Sequence, residues 1–150
     1  MSEQLSGPQL FARYVVPCAE SRGLSQEDIE RLMRIAKCEE DPDVIFLERC
    51  FPKPVGEMRE FWLSSGFVCL LWDKHMVQMF WWQHKGQGGD CAVKIATVCF
   101  AVGRGVRVIS GSDTFVALDA LNLCPQLGDN VRIHLRTVIE IIGPESAIAR

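Results

Sequence analysis

What this sequence has little of narrows it first. No run approaches the roughly 18 apolar residues needed to span a bilayer, and no basic start leads into an apolar stretch. An intracellular, soluble protein with no membrane partner is expected. The seven cysteines, at 18, 38, 50, 69, 91, 99 and 124, are odd in number and none stands in a C-x-x-C pair, so neither a disulfide framework nor a zinc ribbon is indicated. Reduced thiols filling core space are the expected state. Histidine is sparse: His75, His84 and His134 are scattered, without an H-E-x-x-H or an H-x-E beside a cysteine couple. No metal site and no cofactor are expected. The glycine-rich stretches 86–90 and 103–105 lack the spacing of a phosphate loop and read as hairpin turns. A basic excess is also missing, since the net charge is −3, and nucleic acid is not an expected partner.

What is present suits an ordinary globular chain. At 150 residues, 48% of them hydrophobic, the sequence can form one domain that buries about 68–70% of its unfolded surface without a metal or a disulfide. A single domain over 1–150 is expected, with a mainly helical part at 1–66, a mainly β part at 67–142 and a tail at 143–150. Charge is uneven: residues 1–60 carry twelve acids and eight bases, the remainder seven and eight.

The apolar segment Leu10 to Val16, stopped by Pro17, does not declare its structure. After it, Ser25 as cap, Asp28 three residues on, and Ile29, Leu32, Met33 and Ala36 at helical spacing predict a helix at about 26–38. Asp41-Pro42 opens a second, with Val44, Leu47 and Phe51 on one face. Phe51-Pro52-Lys53-Pro54 predicts an extended bend, because a residue before proline is pushed out of the helical region. A third helix is expected from about Gly56 to Ser64, stopped by Ser65-Gly66.

The stretch from Phe67 to Ser110 reads as an antiparallel meander, with strands at about 67–72, 75–83, 91–102 and 106–110. Trp81 and Trp82 would then project from opposite faces, one of which needs a second cover or a partner. Phe115, Leu118, Ala120 and Leu121 predict a short helix ended by Pro125. From Val131 to Ile141 apolar residues alternate with polar ones, which predicts one long final strand. The fold class is therefore α+β: N-terminal helices packed on an antiparallel β-meander, with a short helix and a final added strand. Arg104, Arg107, Arg132 and Arg136 are expected to line up across this sheet and to meet an anion or an acidic partner.

No catalytic residue is assigned. An enzymatic reading rests only on Cys91 beside His84, a proximity that arises easily in a chain with seven cysteines.

Several stretches taken together carry a family resemblance. They are Tyr14-Val15-Val16-Pro17 followed by the helix from Leu24 to Ile29 and Cys38; the run from Trp72 to Trp82; Val98-Cys99-Phe100 running into Gly103-Arg104; and Ala120 to Cys124 before an apolar strand. In this order, across residues 14–136, the chain resembles the adenovirus early region four thirty-four-kilodalton protein family. The resemblance implies a non-enzymatic viral early protein in host-virus interaction, found in host nucleus and cytoplasm. It further implies an adaptor that, with a second viral early protein, redirects a host cullin ubiquitin ligase through elongins B and C. The chain is shorter than family members and lacks their dense cysteine and histidine clusters and their arginine-rich helix.

The segment Asp28 to Arg34 is similar to the start of an elongin-binding box, with Ile29, Leu32 and Met33 as apolar anchors, although Met33 stands where such a box has cysteine. Phe51, Pro52 and Pro54, then Met58, Phe61 and Trp62, look like its cullin-selecting part, interrupted by Lys53. Recognition would be helix-in-groove. Trp81 and Trp82 complete the expected partner-binding set. A different class of function is an acidic protein-binding inhibitor, of the antitoxin or immunity type, which an acidic helical half beside an aromatic-rich sheet also fits. A neighbouring toxin gene would favour that class, and adenoviral early genes the first.

Overall fold

A computed structural model describes residues 5–19, 22–66, 68–84 and 93–144. The chain is mixed α and β, and it divides into two compact units, Met1–Gln83 and His84–Arg150. The boundary falls after Gln83, not near residue 66, because residues expected as strand are helical.

The first unit is built from five helices: α1 (Gly7–Val15), α2 (Gln26–Ala36), α3 (Val44–Cys50), α4 (Pro52–Ser65) and α5 (Lys74–Gln83). The ambiguous segment after Ser6 is α1. Ser6 and Gln9 close a capping box, in which Ser6 Oγ accepts from Gln9 N at 3.3 Å and Gln9 Oε1 accepts from Ser6 N at 3.1 Å. Leu10, Phe11, Tyr14 and Val15 are fully buried. Helix α2 starts where expected, Ser25 Oγ accepting from Asp28 N. Buried Arg13 of α1 donates from Nε to the carbonyl of Ala36 at 2.9 Å, so one helix satisfies the open end of another. Asp43, rather than Pro42, marks the start of α3, accepting from the N–H groups of Ile45 and Phe46.

Two expectations fail here. Pro52-Lys53-Pro54 is not an extended bend but the first turn of α4, where a helix leaves its N–H groups unbonded and proline loses nothing. Only Phe51, at φ −132°, takes up the pre-proline restriction. The second correction is larger: residues 75–83 are not a strand, since Met76, Val77, Phe80 and Trp81 form the buried stripe of α5. Trp81 packs on Phe11, Tyr14 and Phe80, its ring parallel to that of Tyr14 at 5.2 Å. The contacts with Phe11 and Tyr14 are made between helices and cannot be read from a window of ten residues. Residues 68–72 form turns and bends, and Phe67 lies outside the described residues.

The second unit is a closed barrel of β1 (Lys94–Val102), β2 (Gly105–Ser110), β3 (Asp113–Leu118), β4 (Asp129–His134) and β5 (Thr137–Pro144), in the order β1-β2-β3-β5-β4. All pairings are antiparallel except β3 with β5, which meet in parallel at Leu118 and Thr137. Strand β4 lies beside β1, giving the spatial order 4-1-2-3 of a Greek key; of the four strands of the expected meander only the last two, β1 and β2, are strands. Five-stranded Greek-key barrels include the OB-fold. Ala96, Val98, Val106, Val108, Ala117, Val131, Ile133 and Val138 fill the interior.

The helix expected at 115–121 is β3 and the turn after it. The single final strand is a hairpin, β4 and β5, reversed at Leu135-Arg136 with φ of 51° and 59°. The two-residue turn sets His134 opposite Thr137 and Ile133 opposite Val138, which shifts the in-out alternation by one residue. The ladder irregularity between Arg132 and Ile133 shifts it back, so Ile141 again pairs with Val131 and the run reads as continuous in the sequence. The usual asparagine or glycine signal is missing from the reversal itself.

Candidate protein-binding surface

Antiparallel pairing places two rows of side chains on the outer face of β1, β2 and β3. One row is Phe100, Arg107 and Val116; the next is Val102, Gly105 and Leu118. Ile109 extends the face along β2. Phe100, Val102, Ile109, Val116 and Leu118 are each 43–64% exposed, and large apolar side chains grouped in this way mark interaction surfaces. Single exposed apolar residues carry no such meaning.

Local sequence explains the shape. The ladder shifts register between Val98 and Phe100, leaving Cys99 as the extra residue of a bulge, and bulges re-aim neighbouring side chains. Gly103, at φ 59°, turns the chain from β1 into β2. Gly105 carries no side chain between Val102 and Leu118, which leaves a notch. A Cβ built there would meet Val102 O at 3.5 Å and Val116 Cγ1 at 4.0 Å, ordinary van der Waals contacts, so a side chain fits without displacing its neighbours.

Beside the face lies a pocket of about 440 Å³, lined by Cys99, Phe100, Val106, Asp119, Pro125 and Leu127 among others. Its far wall is the segment after β3. Buried Asp119 holds that segment, its carboxylate accepting from Leu123 N and Cys124 N, both at 2.8 Å. Asn122 and Cys124 are kept at φ 57° and 54°, a conformation that a residue with a Cβ adopts at a cost.

The four arginines expected to line up do not act alike. Arg132 is paired with Glu140 at 2.8 Å and Arg136 lies over the Phe115 ring. Arg107 stands in the middle of the outer face, and among the described residues its guanidinium has no carboxylate or hydrogen-bond partner.

The residues expected to bind partners are spread out. In the helical unit Leu32, Phe51 and Trp81 are interior, Pro54 is buried, Ile29 and Met33 are half-buried, and Pro52 and Trp82 are exposed, Trp82 by 52%. Trp81 and Trp82 do not project from opposite faces of a sheet; on a helix, neighbours lie about 100° apart, which here buries one and exposes the other. The barrel face was not found from sequence, except through Arg107. Its apolar members sit in strands whose pairing partners had to be known first.

The surface of the helical unit also carries a charged cluster. Glu40 is bonded by Arg31 at 2.7 Å and Arg34 at 2.9 Å, and Arg31 reaches Asp43 at 3.0 Å while lying over the Phe46 ring. Hydrogen bonds from Arg31 and Arg34 hold the Glu40 carboxyl below its ordinary range. The Asp43 carboxyl is lowered first by the Phe46 N–H at the head of α3 and then by Arg31. Burial pushes the Cys50 thiol up, which leaves it protonated and unreactive.

Cys50, Cys69, Cys99 and Cys124 are free thiols, and Cys91, half of the enzymatic reading, lies outside the described residues. Among the described residues no three His, Cys, Asp or Glu side chains gather as metal ligands, and no helix is long and apolar enough to cross a membrane. No protein-family model, curated protein or solved structure matches the chain.

Proposed function

We propose that this chain is a non-enzymatic adaptor, a viral early protein that holds a host protein and, with a second viral early protein, brings it to a cullin ubiquitin ligase through elongins B and C. The observation that carries the adaptor reading is the apolar outer face of β1 to β3, with five large side chains exposed together. The viral setting and the ligase rest on the ordered series of motifs from Tyr14 to Arg136 and on their resemblance to the adenovirus early region four family.

Ligase contact is assigned to those members of the expected partner-binding set that the helical unit leaves accessible: Ile29 and Met33, which are half-buried, and Pro52 and Trp82, which are exposed. Leu32 and Phe51 already fill the helical core, and docking through them would require that core to open.

Affinity purification from transfected cells with mass spectrometry tests the proposal. Elongins B and C and a cullin are expected to co-purify when the second viral early protein is co-expressed. Their absence overturns the ligase assignment. A single tight bacterial partner, encoded next to this gene, would replace it with the inhibitor reading.

A further inference from the structure

We infer that the outer face of β1, β2 and β3 takes a protein segment of particular chemistry, an apolar stretch with a carboxylate set between its apolar side chains. This rests on reading the chain as a protein-binding adaptor and specifies what it binds.

The argument starts from Arg107. It lies between Phe100 on one neighbouring strand and Val116 on the other, and its charge is answered by no carboxylate among the described residues. An unpaired guanidinium ringed by apolar groups is costly to cover with a purely apolar partner, because the charge loses water and gains nothing. Covered by a segment that brings an Asp or Glu, it gains a charge-assisted and often bidentate bond. Arg104, exposed at the turn beside it, adds to the same field. Asp113 lies at the opposite end of β3, and the carboxylate of Asp119, which follows Leu118, is buried and already accepts from Leu123 N and Cys124 N.

The second row sets the shape. Gly105 leaves a gap flanked by Val102 and Leu118, wide enough for an added side chain, so an apolar residue of the partner seats there while the carboxylate meets Arg107 in the adjacent row. Two other occupants fit less well. A second copy placed face to face would set Arg107 against Arg107, a like-charge contact. Single-stranded nucleic acid needs several aromatic platforms for its bases, and Phe100 is the one aromatic among these side chains.

Selection of a phage-displayed random dodecapeptide library on the full chain tests this, with isolated peptides then titrated by fluorescence polarisation and mapped by amide chemical shifts. Enriched peptides are expected to carry an Asp or Glu flanked by apolar residues and to perturb Val102, Arg107 and Val116. Arg107→Glu is expected to weaken them at least tenfold and to improve binding of the same peptides with lysine in place of the acid. Gly105→Val fills the notch from the other side and is expected to abolish binding while the thermal transition stays in place. Peptides without an acid, equal binding to Arg107→Glu, or shifts confined to other residues would overturn the inference. So would a dimer in sedimentation that Val116→Glu dissolves, or an oligothymidine that shifts this face more strongly than any peptide. Failure of elongin or cullin to co-purify leaves this result untouched, so the two readings fail separately.

Discussion

At the scale of single residues, two side chains one position apart illustrate how little their identity says about their role. Leu32 is fully buried in the helical unit and Met33 only half so, although either suits an apolar docking face. Leu32→Ala is expected to cost about 2–5 kcal/mol of stability, and Met33→Ala only about 1 kcal/mol, in proportion to the smaller area it removes from water. Urea denaturation of the two variants separates them. Gly7 has a role no side-chain argument reveals: a Cβ there would fall 1.8 Å from the carbonyl oxygen of Trp72. Gly7→Ala must therefore displace backbone, and a loss of about 1–3 kcal/mol is expected in the same assay. Glu40 and Asp43 make stability depend on pH. Both carboxyls are lowered in the folded chain, so their contribution is complete above the ordinary carboxyl range and is lost as the pH falls through their lowered values. Thermal unfolding measured from about pH 6 down to about pH 3 is expected to show the decline. Glu40→Gln should flatten it.

At the scale of elements, the segment from Asp119 to Gly128 joins β3 to β4 and frames the pocket beside the outer face. It is held at one end by the Asp119 carboxylate and at the other by Gly128 N donating to Val98 O at 2.9 Å, next to the bulge. Removing the carboxylate leaves two N–H groups without their charged acceptor. Asp119→Ala is expected to lose about 3 kcal/mol, and Asp119→Asn, which keeps one oxygen, to lose less. Amide exchange at Leu123 and Cys124 reports the release directly, and unchanged protection there would show that the segment is held by something else. Helix α5 gives the complementary lesson. Its run of apolar and aromatic residues suits a strand as well as a helix, and the choice is made by Phe11 and Tyr14, which pack on Trp81 from elsewhere in the same unit.

At the scale of the whole molecule, two units each with its own core give a test of cooperativity. Leu32→Ala is expected to speed amide exchange through the helices first, and Ile133→Ala, in the barrel interior, through the strands first. Faster exchange spread equally over both units in either variant would mean that they open as one. The charge follows the same division: residues 1–83 hold thirteen acids and nine bases, residues 84–150 six acids and seven bases. The acidic excess thus belongs to the helices, while Arg107, without a carboxylate partner among the described residues, belongs to the barrel.

The sequence by itself determined the elements whose signals are local. The Ser25 cap with its helical spacing produced α2, Gly66 ended α4, and alternation with a glycine turn produced β1 and β2, because capping bonds, positive φ and in-out burial are decided within a few residues. Tertiary structure decided the rest. Trp81 became helical through rings far away in sequence, the long final strand folded back at Leu135-Arg136 so that β5 could close the barrel against β3, and Pro52 and Pro54 entered a helix because its first turn asks nothing of their nitrogens. The candidate surface belongs wholly to this second class. Arg107 was visible as a charge, but Phe100, Val102, Val116 and Leu118 became its neighbours only when three strands paired in register, and register is a property of the sheet and not of any one strand.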